Sequence, residues 1–204
     1  MQGNNGTKSS SGKRVLIFVV AIFVIPVAAS MLMYLSGWRP AATGNHGQLI
    51  QPVRKIEDKA LQTLEGKPVR LSELHGKWTM VYFGSSACNE TCIKSLYAMR
   101  QIHVSQGKEM DRLQRVFILT DGNEKDALKA KLTDYSDMHV WMGDKKTLSA
   151  LAQGFRIPDG KLAEDQGIYL IDPAGNLMMR YAPGFDPAGM RKDLARLLKY
   201  SWVG

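Results

Sequence analysis

The chain has 204 residues, 45% hydrophobic and 23% charged, and a net charge of +8 from 27 basic and 19 acidic side chains. That length suits one globular domain with additions, and the composition excludes a disordered or collagen-like chain. Its two cysteines exclude a disulfide-rich scaffold and any four-cysteine zinc or iron–sulfur site, but allow one redox pair or half of a small metal site.

The chain opens with a small, polar stretch, residues 1–14, that carries Lys8, Lys13 and Arg14 and no acid. Residues 15–35 then run without a charge. At about 1.5 Å rise per residue this run covers a hydrocarbon core of about 30 Å. Pro26 lies mid-run, which a membrane helix tolerates when its freed backbone groups find partners. Three cations precede the run and Arg39 alone follows it closely. The positive-inside rule then predicts a cytoplasmic tail over 1–14, a transmembrane helix over 15–35 and a periplasmic remainder, held at a bacterial inner membrane. Tyr34 and Trp38 stand where interfacial aromatics belong. The rival reading is a cleaved signal peptide with Val27-Ala28-Ala29 as a weak cleavage site. Cleavage there would leave Ser30-Met-Leu-Met-Tyr-Leu35 as a greasy new terminus, which favours the anchor. The tail accounts for three of the net positive charges. The rest form no basic stripe with interleaved aromatics, so nucleic acid is not an expected partner.

Residues 36–58 contain Gly37, Pro40, Gly44, Gly47 and Pro52 among polar residues and are expected to be a linker. A globular domain is expected over 59–204. It opens with a hairpin, residues 61–64 and 69–71 around Glu65-Gly66-Lys67-Pro68. Residues 78–83 read as a buried strand, 91–106 as a helix closed by Gly107, and 116–119 as a second buried strand. A helix over 124–135, a short strand over 140–142 and a short helix over 147–153 follow. Residues 168–171 and 177–181 flank Asp172-Pro-Ala-Gly175, whose Pro and Gly placement is turn chemistry and predicts an antiparallel hairpin. Asp186 as N-cap and Pro187 at the first helical position start the last helix. Parallel crossovers followed by an antiparallel hairpin imply an α/β domain with a mixed central sheet flanked by helices, the order of a thioredoxin-like fold.

Cys88 and Cys92 sit between the first core strand and its helix. A spacing of four places both on one helical face, about 5–6 Å apart at Cβ, and modest adjustment brings them to disulfide distance. The helix N-terminus favours a thiolate, and Glu90 between them works against it. The pair therefore suits thiol–disulfide exchange. The same two thiolates suit Cu(I), a soft ion that would normally take a third ligand. An inert disulfide staple is the third reading. Zinc is poorly supported, because no ordered His pair lies nearby. The four histidines read as bystanders: His46 solvated in the linker, His75 in a turn, His103 three helical turns beyond Cys92 at about 16 Å, and His139 at a strand start. The 11 methionines read as core filling.

On Leu71-Ser-Glu-Leu-His-Gly-Lys77, Val81-Tyr-Phe-Gly84, Cys88-Asn-Glu-Thr-Cys92 and Tyr169-Leu-Ile-Asp-Pro-Ala-Gly175, the chain resembles the Sco/SenC family over roughly residues 55–200. Its members are membrane-tethered thioredoxin-fold proteins that help assemble cytochrome c oxidase. The resemblance implies a dithiol at Cys88 and Cys92. It also implies a protein substrate, the cysteine pair of an oxidase copper subunit, and possession of copper ligands at the same two cysteines. The family's copper site adds a His shortly before the strand matching 168–171. An ungapped alignment puts Glu164 there, and residues 160–167 contain no His. Ile93 stands where the family has Pro after the second cysteine, and Gln166 where a thioredoxin-type Pro would fall. The expected function is a membrane-tethered periplasmic thiol–disulfide oxidoreductase of Sco-like type that requires no cofactor. A Cu(I) chaperone binding through Cys88 and Cys92, and a non-catalytic assembly scaffold, are the alternatives.

Overall fold

A computed structural model describes residues 10–37, 44–122, 125–158, 161–162 and 164–201. Lys8, Trp38, Arg39 and Glu124, the expected first residue of the third helix, lie outside the described residues. The chain divides into two units, 1–44 and 45–204. The first holds one helix, α1 (Ser10–Leu35), with Pro26 inside it. Its segment Gly12–Leu35, at about 1.5 Å per residue, is long and apolar enough to cross a membrane. Phe18, Phe23 and Leu32 are about two-thirds exposed or more. A helix apolar on all sides is suited to an apolar solvent.

The second unit is built on one eight-stranded mixed sheet in the order β1-β8-β7-β4-β5-β6-β2-β3. The strands are β1 (Gln48–Lys55), β2 (Ala60–Thr63), β3 (Pro68–Arg70), β4 (Trp78–Gly84), β5 (Leu113–Leu119), β6 (His139–Met142), β7 (Ile168–Ile171) and β8 (Asn176–Tyr181). The helices are α2 (Glu90–Val104), α3 (Lys125–Lys131), α4 (Lys145–Gly154) and α5 (Pro187–Tyr200). β4, β5 and β6 run parallel, joined through α2 and α3. β7 pairs antiparallel with β4, and β8 with β7. β4 and the 116–119 part of β5 are largely apolar because both their faces are covered, as parallel strands require.

Strand periodicity sorts the core into two layers. Met80, Tyr82, Phe117, Leu119, Ile168 and Leu170 meet Leu96 and Met99 of α2, Leu128 of α3, and Met190 and Leu194 of α5. On the opposite face Val81, Phe83, Ile118, Tyr169 and Ile171 meet Leu71, Leu74, Leu151 of α4, and Phe155. Phe83, Phe155 and Tyr169 form edge-to-face pairs with centroids 4.9–5.9 Å apart, a favoured aromatic geometry.

The expected linker over 36–58 needs correction: the sheet begins inside it. β1 pairs with β8 along the sheet's outer edge, with its register shifted between Leu49 and Arg54 where Pro52 stands. An edge strand tolerates proline because one side of its ladder is free. Ile56 is buried as well. His46 is not a solvated bystander either. Its backbone N–H and that of Gly47 each donate to Asp193 Oδ2 at 2.9 Å, and its Nδ1 lies 3.1 Å from Asp193 Oδ1. Tyr181 Oη donates to the same carboxylate at 3.1 Å. Burial raises the Asp193 carboxyl, but the Gly47, His46 and Tyr181 donors outweigh it and hold it below the usual carboxylate range. Gly189 lets the His46 ring close on α5, since a Cβ there would lie 2.7 Å from the imidazole.

Candidate functional site at the start of α2

The core strand β4 ends at Gly84, where a Cβ would come within 2.6 Å of the Phe117 ring. Glycine thus lets the chain leave the sheet flush against its neighbour. The Gly84 carbonyl accepts from the Thr120 backbone N–H at 2.9 Å and hydroxyl at 3.1 Å. The Ser86 N–H donates to Asp121 Oδ1 at 2.8 Å, and the Cys88 N–H to the Ser85 carbonyl at 3.2 Å. Asn89 is the N-cap of α2: its side chain accepts from the Cys92 N–H at 3.0 Å. This satisfies one of the helix's orphan donors.

Cys88 and Cys92 are joined as a disulfide with Cα atoms 5.2 Å apart. They do not share a helical face, as the spacing had suggested. Cys92 lies in the first turn of α2, whereas Cys88 precedes the N-cap in the left-handed region, with φ +33°. The cysteines are equally buried, each 3% exposed, so accessibility does not separate their roles. They belong to one buried cluster with Tyr82 and Leu96. Burial pushes the Tyr82 hydroxyl up to about 12, which keeps it neutral around the sulfurs at ordinary pH.

Two charges at the loop change the expected electrostatics. Glu90 is paired with Lys94 at 2.6 Å, and that hydrogen bond and its charge lower the Glu90 carboxyl. Its opposition to a nearby thiolate is thereby partly offset. Lys131, the last residue of α3, donates to the Ala87 carbonyl and lies 3.5 Å from that of Cys88. A lysine 43 positions along the chain from Cys88 carries no local sequence signal, and only the packing of α3 against the loop brings it there.

The loop before β7, where the family resemblance expects a ligand, carries two acids, Glu164 and Asp165. Glu164 is exposed. Asp165 accepts from Tyr169 Oη at 2.7 Å and from Arg180 Nη2 at 2.8 Å, tying the loop to β7 and β8. Gln166 has φ +47°, a conformation proline's ring cannot adopt. The Ile93 N–H donates to the Asn89 carbonyl at 3.0 Å, a bond that a proline there would lack. Among the described residues no group of three or more His, Cys, Asp and Glu side chains could hold a metal ion. His103 is buried and bonds the Met110 and Leu113 carbonyls through Nε2. His139 stacks near Trp141, and His75 lies at the end of a 3-10 turn. Two soft thiolates therefore fit Cu(I) once the pair is reduced, with no third ligand among these histidines. A groove of about 590 Å³ lined by Asp121, Met142, Lys145, Leu148 and Leu162 opens beyond β5 and β6, and neither cysteine lines it.

The family model described as transmembrane-like, thioredoxin-like, C-terminal domain matches residues 78–201, more than half of the chain. A relative named as a candidate copper-binding protein, from Stutzerimonas stutzeri, is 27% identical over 135 residues, 64% of this chain and 66% of that relative. The chain spans 34% and 52% of two further curated relatives. Copper-bound yeast Sco1 superposes with a TM-score of 0.61 at 21% identity, covering 72% of this chain and 90% of that one. The thioredoxin domain of a thiol-disulfide oxidoreductase from Bacteroides vulgatus gives 0.56 at 18% identity, over 78% and 99%. At these identities the structural likeness speaks for the fold. The chain belongs to the transmembrane-like, thioredoxin-like C-terminal domain family.

Proposed function

We propose that the protein is a membrane-tethered thiol–disulfide oxidoreductase, and that Cys88 and Cys92 are its reactive pair. The observation that carries this reading is the Cys88–Cys92 disulfide at the N-terminus of α2, between a core strand and its helix. In the reduced protein the Cys88 thiolate attacks one sulfur of a substrate disulfide. A Cys88–substrate bond forms, the substrate S–S bond breaks, and the released substrate thiolate takes up a proton. Cys92, deprotonated, then attacks Cys88 Sγ. The Cys88–Cys92 bond forms, and the second substrate thiolate leaves and is protonated. Two electrons pass from the pair to the substrate. A thiol reductant outside the cytoplasm must restore the dithiol for each cycle.

By family likeness the substrate is the cysteine pair of a cytochrome c oxidase copper subunit, reduced before it receives metal. The domain faces the periplasm of a bacterial inner membrane, with residues 15–35 as anchor and the basic tail inside. The test uses the reduced full chain in detergent with an oxidised peptide carrying such a cysteine pair. Cys88→Ser is expected to abolish peptide reduction, and Cys92→Ser to accumulate the Cys88–peptide mixed disulfide. Wild-type rates in Cys88→Ser would overturn the mechanism.

A second reading, transfer of Cu(I) as cargo through Cys88 and Cys92, is favoured by the copper-binding name of the Stutzerimonas relative. Stoichiometric uptake of Cu(I) by the reduced chain against a competing chelator would put that reading first.

A further inference from the structure

We infer that the groove beyond the carboxyl ends of β5 and β6 docks the protein that carries the substrate disulfide, taking from it an extended segment with an apolar side chain beside an acidic one. This deepens, and rests on, the reading of Cys88 and Cys92 as the exchanging pair. The groove has a volume of about 590 Å³, within the range of sites that hold a ligand. It opens where open α/β sheets bind their ligands, outside the carboxyl ends of parallel strands. Its apolar lining is Leu119 at the end of β5, Met142 at the end of β6, Leu148 of α4, and Leu162. Met142, Leu148 and Leu162 pack on the core yet are only half-buried. They leave apolar surface in a concavity, which marks an interaction site rather than a solvated face.

The groove is joined to the disulfide loop. Asp121 lines it and accepts the Ser86 N–H at 2.8 Å, and Ser86 stands two positions before Cys88. With about 3.8 Å between successive Cα atoms, the Asp121 carboxylate lies within about 12 Å of the Cys88 Cα, a distance that about four residues of extended chain cover. A disulfide presented to Cys88 therefore brings a neighbouring segment of the same protein within reach of the groove. The charges select that segment. Lys145 lines the groove from the first turn of α4; it is exposed, and its ammonium makes no ion pair among the described residues. The helix dipole disfavours a cation there, and a carboxylate brought beside it meets both the ammonium and the first-turn N–H groups. Asp144, the N-cap of α4, is already engaged by the Thr147 N–H at 2.7 Å. Asp121 Oδ2, outside the Ser86 bond, is an acceptor for a backbone N–H of the docked segment. An acidic partner is also drawn to a chain of net charge +8, whereas a second copy is repelled.

The experiment measures binding by fluorescence anisotropy in the full chain in detergent carrying Cys88→Ser and Cys92→Ser, which cannot exchange thiols. The probe is a fluorescein-labelled oxidised peptide whose disulfide is flanked on either side, about four residues away, by a leucine–glutamate pair. It is expected to bind about fivefold or more tightly than the same peptide with alanine for leucine. It is expected to bind about threefold to tenfold more tightly than one with lysine for glutamate, a difference that shrinks in high salt. Lys145→Glu puts an acid in the first turn of α4, which the helix dipole favours, so that variant is expected to fold and to prefer the lysine peptide. Equal binding of the three peptides, no binding, or a preference that Lys145→Glu leaves unchanged overturns the inference. So does self-association of the chain that Lys145→Glu abolishes, seen by sedimentation in the same detergent, which would seat a second copy in the groove. Because the binding chain lacks both thiols, an intact preference with no peptide reduction by the wild type would fault the redox reading alone.

Discussion

Reducing the Cys88–Cys92 bond should leave the domain folded and α2 intact. Its cross-link closes a loop of only five residues, Cys88 to Cys92. Chain-entropy reasoning assigns so short a loop about 2 kcal/mol. For a unit of this size that is a fall in midpoint temperature of about 4–8 °C. The contacts that shape the loop do not depend on the S–S bond: Ser86 to Asp121, Cys92 to the Asn89 cap, Ile93 to the Asn89 carbonyl, and Lys131 to the Ala87 carbonyl. Both sulfurs stay in the same buried cluster, where a free thiol behaves as a small hydrophobe. Thermal unfolding of the full chain in detergent, oxidised against reduced and followed by circular dichroism, measures the difference. A loss above about 4 kcal/mol, or melting of α2 on reduction, would refute the reasoning and make the pair a structural staple, as the scaffold reading requires.

Asp193→Asn should destabilise the domain by about 2–3 kcal/mol at pH 7, because a buried carboxylate accepting from His46, Gly47 and Tyr181 is replaced by an amide. The Asp193 carboxyl is held below its unfolded value. The wild-type advantage is therefore fully present above the unfolded carboxylate pKa of about 3.9 and lost as pH falls through the folded value. Denaturant unfolding of both proteins at pH 7, 5 and 3 checks this, and a difference that does not shrink with acid contradicts it. Asn89→Ala should cost about 1 kcal/mol through loss of the α2 N-cap, with Asn89→Ser retaining most of it. An Asn89→Ala protein as stable as wild type in the same assay would mean the cap at Cys92 carries no stability.

Much of the fold was legible because its signals are local. The apolar runs of β4, β5 and β7 marked strands buried on both faces. The Asp172-Pro-Ala-Gly175 turn marked the β7–β8 hairpin, and Asp186-Pro187 fixed the start of α5, where Asp186 accepts from the Ala188 and Gly189 N–H groups. Residues 91–106 and 147–153 were found as α2 and α4 with ends displaced by a residue or two. β1 was missed because it is half polar, broken at Pro52, and paired only with the distant β8. The full length of β5 was missed because Arg115 interrupts the apolar run. That arginine is fully buried and paired with Asp137, a partner 22 residues away.

The sequence by itself determined the apolar helix, the strand and helix order, and the placement of two cysteines between a core strand and its helix, since each depends on composition, periodicity or turn chemistry within a few residues. Tertiary structure alone decided where the sheet begins and that Asp193 holds His46 and Gly47. It alone decided that Lys131 from α3 meets the Cys88 loop. Those features are contacts between groups tens to more than a hundred positions apart, and the packing of helices on a closed sheet order fixes them, which no local pattern encodes.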